Sequence, residues 1–254
     1  MSGWNIGFRR RRWRQHAPKV LAGVCWAVAA GAQAFDHTHA QFDALLKAHV
    51  DEQGLVDYRA LKAKPDDLKA YLDTLAAVSA EDYETWTPPQ RLAFAFNLYN
   101  ASTLQLIVDH YPIKSIRDIG TRFRGPWKQP AVRFRGSTIT LDALEHGYLR
   151  KEYNEPRLHL ALVCAAKGCP PLRREAYVAE RLDAQLDDQS RKYLGSSRGL
   201  QLDRANGEAR ISAIFQWYGK DFPSVAAFVA KHSGESLDGL KIRYLDYDWS
   251  LNEQ

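Results

Sequence analysis

The hydrophobic positions in the first half of the chain repeat at helical spacing. They predict an amphipathic helix over residues 36–49 and a second helix that begins at Pro65. Between Pro88 and His110 apolar residues cover nearly the whole helical circumference, so the pattern predicts a third helix that is buried on most sides. Tyr111-Pro112 should end that helix, because the residue before a proline disfavours the helical conformation.

The pattern changes to strand-like alternation after residue 130. Residues 132–135 and 138–140 alternate around Gly136-Ser137, which predicts a β-hairpin. Thr140 can then cap a short helix over residues 141–150, since a threonine hydroxyl accepts a hydrogen bond from a free backbone N–H.

Residues 157–163 alternate loosely and then run apolar, which predicts a buried strand that delivers Cys164 at its end. Four further segments complete the pattern: a helix over 180–194, a hairpin of 200–203 with 209–212 about Asn206-Gly207, short helices over 214–222 and 225–229, and a late strand over 241–247. Helices that precede short hairpins favour a helix-rich α+β fold with a small sheet. No repeat or linker divides residues 35–254, so we expect a single domain.

The first 34 residues have the order of a secretory signal peptide. A basic start is followed by the apolar run 20–30 and by Ala32-Gln33-Ala34, a small-residue cleavage site. The run is too short for a membrane anchor. We therefore expect cleavage after Ala34, a periplasmic or secreted protein, and no stable membrane span in the mature chain.

Charge changes the picture once this leader is set aside. It holds 6 of the 35 Lys and Arg residues and no Asp or Glu, which leaves 29 basic against 30 acidic residues. The mature chain is near-neutral, and the pI near 9.0 belongs to the leader. A nucleic-acid partner is therefore not expected. We expect the partner to be a small molecule, a peptide or an envelope component.

Cys164 and Cys169 are the cysteines that remain after cleavage. In an oxidising compartment they can form a disulfide, or Cys164 can act as a nucleophile, or both can be inert thiols. Binding of a metal through these cysteines with His146 and His159 is a further alternative, although no paired metal-ligand spacing is present. We expect no metal and no cofactor. The C-x4-C spacing does not favour thioredoxin-type chemistry.

A cysteine nucleophile needs an imidazole to stabilise its thiolate and a third group to orient the ring, a papain-like arrangement. His146 and His159 are the candidate bases, and Glu145 lies next to His146. The loop after Cys164 is constrained by glycine and prolines, so unpaired backbone N–H groups beside the sulfur could form an oxyanion hole.

Asn97 and Asn100 lie inside the apolar helix, on one face at i and i+3. A buried amide must find hydrogen-bond partners, so the pair either fixes neighbouring loops or orients a catalytic histidine or substrate. The aromatic residues near the C-terminus are expected to pack in the core. These are Trp217, Tyr218, Phe222, Tyr244, Tyr247 and Trp249.

Several blocks of sequence occur together and in order over residues 85–250. They are Phe96-Asn97-Leu98-Tyr99-Asn100-Ala101, Leu144-Glu145-His146-Gly147-Tyr148-Leu149-Arg150, residues 156–165, Gly168-Cys169-Pro170 and residues 244–252. With these blocks the chain resembles the family catalogued as domain of unknown function 547, in a secreted bacterial form. The resemblance supports the domain assignment but implies no settled activity.

The family pattern has Asn-x-x-Asn at Asn97 and Asn100, Glu-His at Glu145 and His146, and a cysteine at Cys164. Family members from plants need not carry the second cysteine. The resemblance therefore implies a role for Cys164 that does not depend on Cys169. Val163 replaces an asparagine that is common before this cysteine, which removes one candidate oxyanion donor.

Two functions follow as hypotheses. The first is a cysteine-dependent hydrolase or acyltransferase with Cys164 as the nucleophile and His146 as the base, oriented by Glu145, Asn97 or Asn100. The alternative is a non-catalytic module that binds an envelope protein or a glycan and carries a structural Cys164–Cys169 disulfide. A sulfur near His146 in a cleft would favour the first, and mutual bonding of the cysteines the second.

Overall fold

The computed structural model of the protein describes residues 34–121 and 124–254. Within them Phe35–Gln254 form one compact unit. The predicted leader, apart from Ala34, falls on residues 1–33 and so lies outside the described residues; its cleavage stays a prediction. None of the described helices is long and apolar enough to cross a membrane.

About half of the described residues are helical, and ten of the helices are α-helices. They are α1 Ala40–His49, α2 Tyr58–Ala63, α3 Asp66–Ala76, α4 Ala80–Thr85, α5 Pro88–His110, α6 Arg150–Glu152, α7 Leu158–Ala161, α8 Leu182–Leu194, α9 Ile214–Trp217 and α10 Val225–Ser233. A π-helix covers Ala143–Leu149, directly before α6.

Two small sheets accompany these helices. Strands β1 Pro130–Phe134 and β2 Ser137–Thr140 pair as an antiparallel hairpin. Strands β3 Leu200–Asp203 and β4 Glu208–Ile211 form a second hairpin, and β5 Lys241–Tyr244 adds to β4 in parallel. The prediction of a helix-rich α+β fold with short hairpins is confirmed.

Helix α5 is the centre of the main core. Thr87 and Gln90 form a capping box at its start, and Pro88 occupies the first turn, where its missing N–H costs nothing. The helix packs against α2, α3 and β1, and its apolar residues from Leu92 to Val108 are buried on all sides. Each buried leucine, isoleucine, valine or phenylalanine side chain of this helix contributes roughly 1.5–3 kcal/mol. The predicted bounds of this helix are those observed.

The first hairpin turns at Arg135-Gly136, one residue earlier than the predicted Gly136-Ser137. Arg135 and Gly136 both have positive φ, at 52° and 75°, as a two-residue turn between right-twisted strands requires. Thr140 then accepts a hydrogen bond from the N–H of Ala143 at 2.9 Å, so the predicted cap is present. The helix that it begins is wound as a π-helix rather than an α-helix.

The prediction of a buried strand over residues 157–163 is wrong. Leu158–Ala161 form the single helical turn α7, and the chain becomes extended only at Leu162. A short apolar run that is buried on all sides carries no period that separates helix from strand. Here α7 packs on α8, where the Gln189 amide donates to the Leu160 carbonyl at 3.0 Å.

The side chains of Asn97 and Asn100 hydrogen-bond to backbone groups that have no backbone partner, at Tyr177 and at the end of α7. Asn97 donates to the carbonyl of Tyr177 at 2.8 Å and accepts from the N–H of the same residue at 3.0 Å. Asn100 donates to the carbonyl of Ala161 at 3.0 Å and accepts from the N–H of Val163 at 3.0 Å. The side-chain amides thus satisfy four buried backbone groups.

The segment before α1 packs into an aromatic cluster. Phe35 stacks on Trp86 with ring centroids 5.0 Å apart, and His39 is buried at the start of the helix. Nδ1 of His39 lies 2.8 Å from the Tyr71 hydroxyl. Burial lowers the pKa of His39 to about 4, so the ring is neutral at pH 7.

We expect Asn97→Leu to lower the free energy of unfolding by about 1–3 kcal/mol, because it strands the buried N–H and carbonyl of Tyr177. Urea denaturation measures the change. Asn154→Leu is the matched control, since Asn154 is exposed. An Asn97 variant as stable as this control would contradict the clamping role.

We expect acid to destabilise the protein in part through His39. Its pKa in the folded state lies below the ordinary 6.5, so the unfolded state binds the proton first and stability falls as pH drops from about 6.5 toward 4. Between pH 7.5 and pH 5 the loss from this group is about 2 kcal/mol.

The test compares denaturation of the wild type and His39→Asn at both pH values. Asparagine tolerates the positive φ of 51° at this position and cannot be protonated there. The variant should be less sensitive to pH by about 2 kcal/mol. Equal pH sensitivity in the two proteins would show that His39 is not a buried neutral ring.

Candidate functional site

A cleft of about 480 Å³ opens where the π-helix, the segment after α7, α9 and the C-terminal residues meet. Five residues that the sequence singled out for chemistry line it: Glu145, His146, His159, Cys164 and Cys169. The sequence separates them into two groups, one on the π-helix and one around α7. The fold brings both groups to one cavity.

Glu145 lies on the buried side of the π-helix. The hydroxyl of Tyr99 donates to its Oε2 at 3.1 Å, and the Tyr218 hydroxyl donates to the same carboxylate. Burial raises the pKa of Glu145, although His146 and the two tyrosine hydrogen bonds oppose the rise. The cleft therefore holds a carboxyl group that is desolvated and poised to take up a proton.

His146 is half-buried at the cleft and contacts Arg150. A guanidinium only donates hydrogen bonds, so Nδ1 of His146, at 3.0 Å from Nη1 of Arg150, must be the acceptor. The ring proton is then on Nε2, which lies 3.8 Å from Asp142. Glu145 lies 3.8 Å from Nδ1 and does not hold the ring by a direct hydrogen bond.

His159 is the more deeply buried imidazole, with 1% of its side chain exposed. Its Nε2 lies 2.7 Å from Oδ2 of Asp221, and the ring stacks on Tyr218 with centroids 3.9 Å apart. Burial lowers the pKa of His159 to about 4 despite the hydrogen bond that its ring donates to Asp221.

Asp221 is shared between two partners. Arg150 donates to both of its oxygens, at 2.7 and 2.9 Å, and this hydrogen bonding lowers the pKa of Asp221 to about 2. Burial removes the water that would stabilise a charged ring at His159, and the positive charge of Arg150 opposes protonation further. His159 is therefore neutral at pH 7 and donates its Nε2–H to Asp221.

The cysteines are joined as a disulfide between Cys164 and Cys169. Cys164 Sγ also lies 3.1 Å from the hydroxyl of Tyr247, which is its hydrogen-bond partner among the described residues. No hydrogen bond joins His146 or His159 to the sulfur there. The backbone N–H of Cys164 donates to the Cys169 sulfur at 2.9 Å. With the Val163 N–H bonded to Asn100, these two groups are not free for an oxyanion hole.

The loop that carries Cys169 is tied to the C-terminal segment. Lys167 and Gly168 donate through their backbone N–H groups to the carbonyls of Ser250 and Asp248, each at 2.8 Å. A Cβ on Gly168 would meet the backbone of Asp248 at 2.8 Å, so this close approach requires glycine. The C-terminal segment thereby places Tyr247 against the disulfide.

The prediction that the C-terminal aromatic residues pack in the core is wrong for Trp217 and Tyr244, which are exposed. Tyr218 and Tyr247 pack against the core and also line the cleft, together with Trp217 and Trp249, which stack with centroids 6.0 Å apart. Trp217 is 47% exposed, while Phe222 is buried as expected. The sequence does not show which aromatic residues line a cavity, so it could not separate those that line the cleft from those that are buried in the core.

Asn97 and Asn100 do not line the cleft, since their amides bond to backbone groups beneath it. Asn100 affects the site indirectly, because it accepts a hydrogen bond from Val163, the residue before Cys164. The sequence analysis missed Asp221 and the hydroxyls of Tyr99 and Tyr218. No local motif marks them, and their partners lie far away in sequence. In the described part of the chain no three metal-ligating side chains come together to hold an ion.

Comparison with known proteins gives one match. No curated protein and no solved structure matches the chain. Residues 83–194 match the family model described as protein of unknown function, DUF547. That range contains Asn97, Asn100, Glu145, His146 and both cysteines, and the match supports the assignment of the chain to this family.

Proposed function

We propose that the cleft is the active site of a cysteine-dependent hydrolase or acyltransferase that works in the periplasm or outside the cell, with Cys164 as the nucleophile. One observation carries the proposal: Cys164 shares a cavity with two imidazoles and a desolvated carboxyl group. Nucleophilic catalysis by cysteine uses these groups, and they come from separate parts of the chain.

The disulfide makes the observed form a resting state. A dithiol reductant transfers two electrons and two protons to the Cys164–Cys169 bond, which leaves two thiols and an oxidised reductant. Cys164 is partly exposed while Cys169 is buried. The freed Cys164 thiol is therefore the one that a ligand in the cleft can reach.

Acyl transfer then proceeds in two balanced steps. An imidazole of the cleft, His146 in the sequence-based assignment, takes the thiol proton, and the sulfur bonds to the carbonyl carbon of an ester, amide or thioester. The bond to the leaving group breaks, and that group takes the proton. Water or another acceptor next attacks the thioester, its proton passes to the imidazole and then to the departing sulfur.

The aromatic wall favours a second candidate, a glycan-binding module with an inert disulfide. Trp217, Trp249 and Tyr247 line the same cleft, and their rings contact one another. Indole faces pack well against the C–H faces of sugars and bury large apolar area. In this function the disulfide holds the loop that positions Tyr247, and no reduction is needed.

We expect Cys164 to be an activated thiol once the disulfide is absent. In Cys169→Ser, iodoacetamide at pH 6 should alkylate Cys164 at least about tenfold faster than a free cysteine, because a lowered thiol pKa raises the thiolate fraction. Peptide mass spectrometry identifies the site, and Cys164→Ser is the control for reaction at Cys169. Alkylation that needs unfolding, or a profile with an ordinary thiol pKa near 8.5, would refute the nucleophile.

The glycan-binding candidate is tested on the oxidised protein. Soluble peptidoglycan fragments and chitin oligosaccharides serve as probes, and tryptophan fluorescence reports binding. If this candidate holds, Trp217→Ala weakens binding roughly tenfold or more, while the oxidised wild type binds equally well with and without iodoacetamide. An unchanged fluorescence signal with every probe would remove the candidate.

A further inference from the structure

His159 and Asp221 form a pair that the sequence-based assignment left unused. The Asp221 carboxylate receives the Nε2–H of His159, so the proton of the neutral ring is fixed on Nε2 and the lone pair is on Nδ1. Nδ1 is buried and has no hydrogen-bond partner among the described residues. A buried polar atom without a partner is unusual and calls for an explanation.

His146 is in a different state although its ring carries the same tautomer. The lone pair on Nδ1 already accepts the hydrogen bond from Arg150, and Nε2 carries the proton. A general base must offer a free lone pair to the proton that it takes. In this arrangement His146 can donate a hydrogen bond to a ligand but cannot accept a proton without losing Arg150.

The surroundings hold the two imidazoles in these states. Arg150 contacts both Asp221 and His146, and so links the two rings. Tyr218 covers one face of His159 and fixes its plane. Four charged or titratable groups lie around His159: Asp221, Arg150, His146 and Tyr218.

We propose that His159, positioned by Asp221, is the general base for Cys164, and that His146 is a hydrogen-bond donor instead. This rests on the proposed function. After reduction, the freed sulfur turns toward His159, and Nδ1 takes its proton to give an imidazolium paired with Asp221. The sulfur bonds to the carbonyl carbon of the substrate, and Nδ1 returns the proton to the leaving group as its bond breaks.

The experiment measures the pH profile of iodoacetamide alkylation at Cys164 in the Cys169→Ser background. His159→Gln should move the inflection up by about one pH unit or more, and Asp221→Asn should move it in the same direction. His146→Gln should change the rate at pH 6 by less than about twofold. His49→Gln is the control, because its side chain lies outside the cleft.

A second measurement needs no substitution of these residues, and so stands if a variant fails to fold. Nitrogen-15 NMR of the histidine-labelled wild type, before and after reduction, reports which ring nitrogen carries the proton. In the oxidised protein we expect His159 to be neutral at pH 7 with the proton on Nε2; after reduction we expect both ring nitrogens to carry a proton at pH values where Cys164 is alkylated. A proton on Nδ1 of His159 in the oxidised protein, or a ring that stays neutral after reduction, would overturn the proposal.

The outcomes distinguish failure of the role of His159 from failure of Cys164 as the nucleophile. A shifted inflection in His146→Gln with none in His159→Gln overturns the role of His159 and leaves the cysteine nucleophile in place. Ordinary thiol behaviour in Cys169→Ser itself overturns the proposed function, and this proposal with it.

Discussion

The structure depends on how buried backbone groups are satisfied around helix α5. A backbone that leaves regular structure inside a core strands its N–H and carbonyl groups, and each unpaired group costs about 1–3 kcal/mol. Asn100 removes this cost for the chain on either side of Leu162, since it bonds to Ala161 and Val163. The chain can therefore cross the core without a strand partner and emerge at Cys164, on the surface of the cleft.

The same constraint explains which parts of the fold could be predicted from the sequence. Helix α5 and the two hairpins are marked locally, by an apolar period, by a proline at each end of the helix, and by turn residues. The segment 157–163 is not, because an apolar run that is buried on all sides has no distinguishing period. Its conformation is set by Asn100 and Gln189, which lie on other helices.

Some residues of the candidate site could likewise be predicted from the sequence, and others could not. Glu145, His146 and Cys164 could be proposed because the residue types suit cysteine chemistry and because the family resemblance covers them. Asp221 and Tyr218 could not be proposed, since their role at the site comes from the hydrogen bond and the ring stacking that they make with His159. These two residues also lie outside the range 83–194 that matches the family.

The two imidazoles are held in their states by different groups. Burial keeps His159 neutral with its Nε2–H on Asp221, whereas Arg150 binds Asp221 and occupies the lone pair of His146. In the proposed function the disulfide adds a second level of control, because it keeps the sulfur bonded until a dithiol releases it.

The most direct test of this account is to trap the covalent intermediate. The reduced protein is mixed with p-nitrophenyl acetate at pH 6 and quenched in acid, and peptide mass spectrometry locates the acetyl group. The account predicts acetylation of Cys164, absent from the oxidised protein and from Cys164→Ser. Reduced protein that stays unmodified at Cys164, or is modified as fast after denaturation, would contradict it.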